Sequence, residues 1–313
     1  MRATQLTESS TLPIVRKPAA RRRGALAQVL ANWSVRIGGT ILLLLIAMAI
    51  CAPWLNTIDP QGVDPTNLNL PPFTFAEFNS LDGSSFEHFF IFGSDGFGRD
   101  IWSRTLYGAR ISLAVGACAA LIAVVIGMSI GLIGGYVRAI DGVLMRVMDG
   151  LMAIPSILFA ISLVATFGGS LSTVIVAIAI PEIPRVARIV RSAVLTIREE
   201  AYVEAAIALD TPPWKILLRH ILPNAMAPLI VQATYVCAAA ILVEAILSFL
   251  GVGLPAEIPT WGNVLATGRA QFNQFPSAVL LPAVFLGLTV LSVNIVGDGL
   301  RDTLDPKFKK RGS

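Results

Sequence analysis

The chain has 313 residues, of which 55% are hydrophobic and only 14% charged, with a mean hydropathy of +0.72. Several long apolar runs at that composition exclude an ordinary soluble domain and indicate a polytopic membrane protein. The net charge of +4 is small. Its placement along the chain is what informs.

Residues 1–36 are polar and basic, with Arg16, Lys17, Arg21, Arg22, Arg23 and Arg36. They read as a cytosolic tail. Ile37 to Trp54 follows as a first membrane helix. Ala47-Met48-Ala49 faintly resembles a signal cleavage site, but the tail is too long for an n-region and further spans follow. Residues 55–110 are too polar to span, are broken by Pro60, Pro65, Pro71 and Pro72, and read as extracytoplasmic. They end in Gly93-Ser94-Asp95 … Gly98-Arg99-Asp100 … Ser103-Arg104 … Tyr107-Gly108-Ala109-Arg110, which suggests a turn into a short interfacial helix at headgroup level.

Ile111 to Tyr136 is the clearest second span. Gly127, Gly131 and Gly135 recur every four residues, so one helix face admits a close neighbour. A third span runs from about Val143 to Phe167. The fourth, from Leu171, is interrupted by Pro181, Glu182, Pro184 and Arg185, and spans only if other helices shield it. A polar loop follows. The fifth span covers about Ala225 to Gly251, an outer loop reaches Phe275, and the sixth span is Ser277 to Val296. The tail 298–313 is basic. Six spans with both termini inside put 20 of the 24 Lys and Arg residues on the cytosolic side, as the positive-inside rule requires.

Cys51, Cys118 and Cys237 fall in apolar runs without ligand spacing and read as small buried hydrophobes. His88 and His220 are far apart. The expectation is no metal site and no catalytic residue. A phosphate loop of the G-x-x-x-x-G-K-[ST] type is absent, as are G-x-S-x-G and H-E-x-x-H, so this chain is expected to bind no ATP in that way and to be no enzyme. Asp149, Glu182 and Glu244 are carboxylates in apolar runs. Each needs a partner, water or a proton there. Glu244 and Asp149 are candidates for a pathway or for structural pairs.

The loop from Glu199 to Asn224 has its own mechanics. Glu199 to Leu209 is rich in good helix formers. Asp210 stands where that helix should stop. Thr211 and Pro212 suit the start of a second helix, which Pro223 is expected to end. Glu204-Ala205-Ala206, Leu209 and Ile221-Leu222-Pro223-Asn224 resemble the EAA motif of ABC-importer permeases, with Asp210 where the family usually has glycine. The segment 93–110, the run Ile241-Leu242 … Glu244 … Leu247-Ser248-Phe249-Leu250-Gly251 with Trp261-Gly262-Asn263, and the ending Gly297-Asp298 … Arg301-Asp302 … Asp305-Pro306 are similar to dipeptide, oligopeptide and nickel permeases of the DppC/OppC type. The similarity spans roughly residues 28–306.

The resemblance implies an all-α integral membrane protein of the bacterial cytoplasmic membrane, with six transmembrane helices in a type I ABC-importer permease fold. It implies a permease core over 111–297 and a cytosolic coupling loop carrying Glu204, Ala205, Ala206, Leu209, Asp210, Ile221, Leu222 and Pro223. It implies a second homologous permease forming a heterodimer, two ABC ATPases that bind ATP and Mg, and an extracytoplasmic solute-binding protein. Peptides are the first cargo implied; the alternative is nickel or another small solute in the same architecture. A self-powered secondary transporter using Glu244 is a further alternative, and it would usually show an internal repeat. No nucleic-acid partner is expected.

Overall fold

The computed structural model describes residues 25–304 apart from residue 82. The expected tails therefore fall partly outside the described residues, at 1–24 and 305–313. The rest of both tails is helical. Helix α1 (Ala25–Ala31) leads into α2 (Trp33–Ile50), and Asn32 caps α2 by accepting from the Ser34 amide at 2.8 Å. At the other end of the chain, α11 (Ser277–Leu304) runs through the start of the expected tail.

Residues 55–100 hold a small sheet, and the other regular elements among the described residues are helical. Strands β1 (Thr74–Asn79) and β2 (Ser85–Phe90) pair antiparallel, with Phe78 opposite Phe86 and Ala76 opposite His88. Alternation puts Phe78, His88 and Phe90 on the covered face. Polar content hid this hairpin in the sequence, because its buried residues are few and interrupted.

The short interfacial helix expected at the end of the 93–110 segment is instead the start of α3 (Ile101–Tyr136), a single helix of 36 residues. At ~1.5 Å per residue it is about 54 Å long, far beyond a hydrocarbon core of roughly 30 Å. Its first turns therefore stand clear of the span. Arg99 and Arg104 are buried there, not at a lipid surface. Arg104 donates to the Pro60 carbonyl at 2.9 Å and the Ala256 carbonyl at 3.0 Å. Asp95 accepts from the Arg99 amide at 3.0 Å and from its Nε at 2.8 Å, and Asp100 caps α3 through the Ser103 amide at 2.7 Å. The motif knits the segments around residues 60, 95–104 and 256 together.

The third expected span is broken. Helices α4 (Arg138–Met152) and α5 (Ser156–Phe167) meet at 81°. Pro155 is the reason: it disfavours helical backbone in the residue before it and removes a helical donor. By contrast α6 (Leu171–Arg198) is continuous, with Pro181 and Pro184 inside it. It lies along the glycine face of α3. A Cβ on Gly131 would stand 2.6 Å from the Ala187 carbonyl, and one on Gly135 would stand 2.7 Å from Val194. Helix α9 (Leu222–Phe249) and α10 (Trp261–Gly268) complete the packing with α11.

Among the described residues, four helices are long and apolar enough to cross a membrane, and the bent pair α4–α5 makes a fifth crossing if taken as one span. Helix α6 is not among them. The molecule is thus a multi-pass membrane protein. The start of α2, the end of α11 and the loop at 199–221 share one end of the bundle, since Gly299 packs on Val35 and Gly297 on Thr234. The hairpin and the 250–275 loop lie at the other. Cys51 and Cys118 are exposed and Cys237 half-buried. Apolar runs of membrane helices also face outward, so apolar neighbours in sequence did not imply burial.

Candidate functional site

The loop between α6 and α9 is a pair of short helices, α7 (Ala201–Ala208) and α8 (Pro213–Ile216). Asp210 links them in the left-handed region at φ 54°. The Thr211 amide donates to the Ala206 carbonyl at 3.1 Å and the Asp210 amide to Ile207 at 2.9 Å. That pair of bonds closes a helix end in the Schellman pattern, so Asp210 does what glycine would do there, at a steric cost.

Two details differ from the sequence reading. Thr211 makes no cap; Pro212 occupies the cap position and Pro213 opens α8. Pro223 ends nothing. A π turn at Leu217–Ile221 widens the helix, the Leu222 amide reaches back to the Leu217 carbonyl, and α9 continues with Pro223 in its first turn. A missing N–H is tolerated where the register has just slipped.

The motif residues divide by face. Val203, Ala206, Ile216 and Ile221 are buried in one apolar cluster with Val190 and Val194 of α6 and Leu229 of α9. Glu204, Ala205, Leu209, Asp210 and Pro223 are exposed, and Leu222 is half-buried. Leu209 is 80% exposed and Trp214 64%. Leu218 in the following turn is exposed as well; the signal for Trp214 and Leu218 in the sequence is apolar residues on both faces of the loop's second helix.

The acidic candidates do not come together. Glu244 is fully buried in α9, where its carboxylate accepts from Ser112 Oγ of α3 at 3.0 Å and from Ser248 Oγ at 2.8 Å. The same Ser112 hydroxyl also accepts from the Trp261 amide at 3.3 Å. Asp149 is exposed on α4 and pairs with Arg188 of α6. Glu182 pairs with Arg185 at 3.0 Å, and Asp141 takes a two-pronged bond from Arg191 at 2.5 and 2.6 Å. Three arginines of α6 thus face three carboxylates, two of them on α4. Among the described residues no group of His, Cys, Asp and Glu could hold a metal ion.

Residues 123–310 match the family described as the binding-protein-dependent transport system inner membrane component, and residues 22–72 match the N-terminal transmembrane domain of oligopeptide transport permease C. The chain belongs to this permease family. A probable peptide ABC transporter permease protein of Sinorhizobium fredii is 49% identical over 277 residues, 88% of this chain and 90% of that protein. The dipeptide transport system permease protein DppC of Alkalihalophilus pseudofirmus is 43% identical over 288 residues, 92% and 90% of the two chains. The oligopeptide transport system permease protein OppC of Bacillus subtilis is 37% identical, with 95% and 93% covered. Among solved structures, an inward-facing MetNI methionine ABC transporter has a chain matching 64% of this permease and 96% of itself, with a TM-score of 0.55 and 19% identity. That likeness is one of fold.

Proposed function

We propose that this permease is one transmembrane half of an ATP-driven importer of short peptides. Its partners are a second, homologous permease, two ATPase subunits that bind ATP and Mg, and a solute-binding protein outside. The observation that supports this best is the α7–α8 pair. It is anchored by Val203, Ala206, Ile216 and Ile221 and turns Glu204, Ala205, Leu209 and Trp214 outward. Small alanines allow close approach of an ATPase groove, Glu204 offers polar contacts, and the exposed apolar side chains supply buried area on docking. Movement of the ATPases would then reach α6 and α9 directly.

Six spans follow in this reading: α2, α3, the bent pair, α6, α9 and α11. Helix α6 crosses because Glu182, Asp149 and Asp141 offset its arginines and α3 packs along it from Ile183 to Val194. Both termini are cytosolic and the hairpin faces the solute-binding protein. Catalysis of ATP hydrolysis belongs to the ATPases, and this chain needs no cofactor. Uptake of labelled di- and oligopeptides, with nickel alongside, in cells with and without the chain tests the reading. Chain-dependent peptide uptake supports it; chain-dependent nickel uptake alone replaces the cargo.

A further inference from the structure

At the α7–α8 end of the bundle, α6, α9 and α11 line an open cavity of about 470 Å³. That is within the size range of small-ligand sites. Ile189 of α6 contributes an apolar wall. Asn224, Pro228, Gln232 and Tyr235 of α9 and Arg301 of α11 contribute the rest of the chemistry.

The polar groups are ordered along α9. Asn224 gives its amide protons to the Tyr202 hydroxyl at 3.0 Å and the His220 carbonyl at 2.7 Å. Its side-chain oxygen remains an acceptor. Pro228 has no N–H, so the Asn224 carbonyl four residues earlier lacks its helical donor. One end of the cavity is therefore rich in acceptors. Gln232, one turn beyond Pro228, can donate and accept. At the far end the Tyr235 hydroxyl donates to Asp298, and Arg301 lines the cavity beside it. Arg301 is exposed and presents a planar fork suited to a carboxylate.

We propose that this cavity is a peptide site, in which Arg301 takes the free C-terminal carboxylate, Gln232 a backbone amide, and the Asn224 acceptors the ammonium end. The inference rests on the peptide-importer reading and adds a location and a recognition chemistry to it. The site adjoins the coupling loop through Asn224 and Tyr202, so an occupied cavity bears on the α7 end of the loop.

The test uses the full complex of both permeases and both ATPases in nanodiscs, without the solute-binding protein. Binding of radiolabelled trialanine is measured by equilibrium dialysis, with unlabelled trialanine and trialanine amide as competitors. The proposal expects saturable binding, displacement by the free acid, and amide competition weaker by about tenfold or more, since a charge-assisted pair is lost. Arg301→Gln should weaken binding by a similar factor, and Gln232→Leu should weaken it severalfold. Equal competition by the amide, or wild-type binding by both variants, would overturn it. So would loss of anionic phospholipid from Arg301→Gln, seen by native mass spectrometry, with trialanine binding unchanged; the cavity would then hold a lipid phosphate. ATP-dependent trialanine uptake by the wild-type complex with its binding protein separates the two levels. Uptake with unaltered binding in the variants removes only this site, whereas no uptake removes the importer reading itself.

Discussion

Asn224 of α9 donates to the hydroxyl of Tyr202 in α7 at 3.0 Å. The bond ties the start of a membrane helix to the outward-facing loop. The Tyr202 ring also lies tilted beside His220, with ring centroids 6.3 Å apart. Tyr202→Phe keeps the ring and removes the acceptor, a loss of about 0.5–1.5 kcal/mol. The permease should insert normally, and peptide uptake should fall severalfold because loop and helix no longer move together. Uptake normalised to membrane-inserted protein checks this.

Ala205 and Ala206 are adjacent and face opposite ways, one exposed and one buried. Ala205→Arg should leave the bundle assembled and abolish transport by blocking ATPase docking. Ala206→Arg should instead unseat α7 from the apolar cluster it shares with α6 and α9, and lower the amount of folded protein. Transport by a correctly inserted Ala205→Arg protein would contradict the docking role.

Asp210 holds a left-handed turn at φ 54°. Asp210→Gly should preserve transport and stabilise the loop by about 1 kcal/mol, because glycine adopts this backbone without steric penalty. Asp210→Val should disrupt the turn. Protease protection of the loop in membranes, compared across the three proteins, reads this out.

Glu244 satisfies hydroxyls from two helices inside the bundle. Glu244→Leu strands Ser112 and Ser248, at about 1–3 kcal/mol for each unsatisfied buried group. Glu244→Gln retains an acceptor and should lose less. Thermal unfolding in detergent should rank wild type above Gln above Leu.

The segment that Asp64 ties to the hairpin should carry a pH dependence whose sign follows from its bonds. Burial pushes the Asp64 carboxyl up, but bonds from the Thr66 hydroxyl, the Asn79 and Thr66 amides and Asn67 together outweigh it and hold it below the usual range. A depressed carboxyl stabilises fully above its unfolded pKa of ~3.9 and loses that contribution as pH falls through the folded value. The fold around residues 64–79 should therefore be unchanged near neutrality and loosen only below about pH 4. Hydrogen exchange of this segment against pH checks it, and Asp64→Asn should remove the dependence.

Much of the span pattern was legible, because long apolar runs and the four-residue glycine spacing report directly on helices and their close faces. Gly127, Gly131 and Gly135 signalled a close neighbour, and α6 lies there. The helix stop at Asp210 was legible too, since few residues enter that conformation. Local rules failed where tertiary contacts decide. Pro223 reads as a terminator, yet a π turn carries the helix past it. Arg99 and Arg104 read as headgroup anchors, yet loop carbonyls and Asp95 enclose them. The hairpin pairs near neighbours, but its buried positions are few and interrupted by polar residues; the cavity beside Arg301 joins residues far apart in sequence, and no spacing records that.

The most direct measurement is peptide uptake into proteoliposomes holding both permeases and both ATPases, with the binding protein added and ATP supplied on the ATPase side. The account predicts accumulation that requires ATP hydrolysis and is lost on Glu204→Lys in this chain, with the complex still assembled. Accumulation that persists with hydrolysis-deficient ATPases, or that is indifferent to Glu204→Lys, would contradict coupling through the α7–α8 loop.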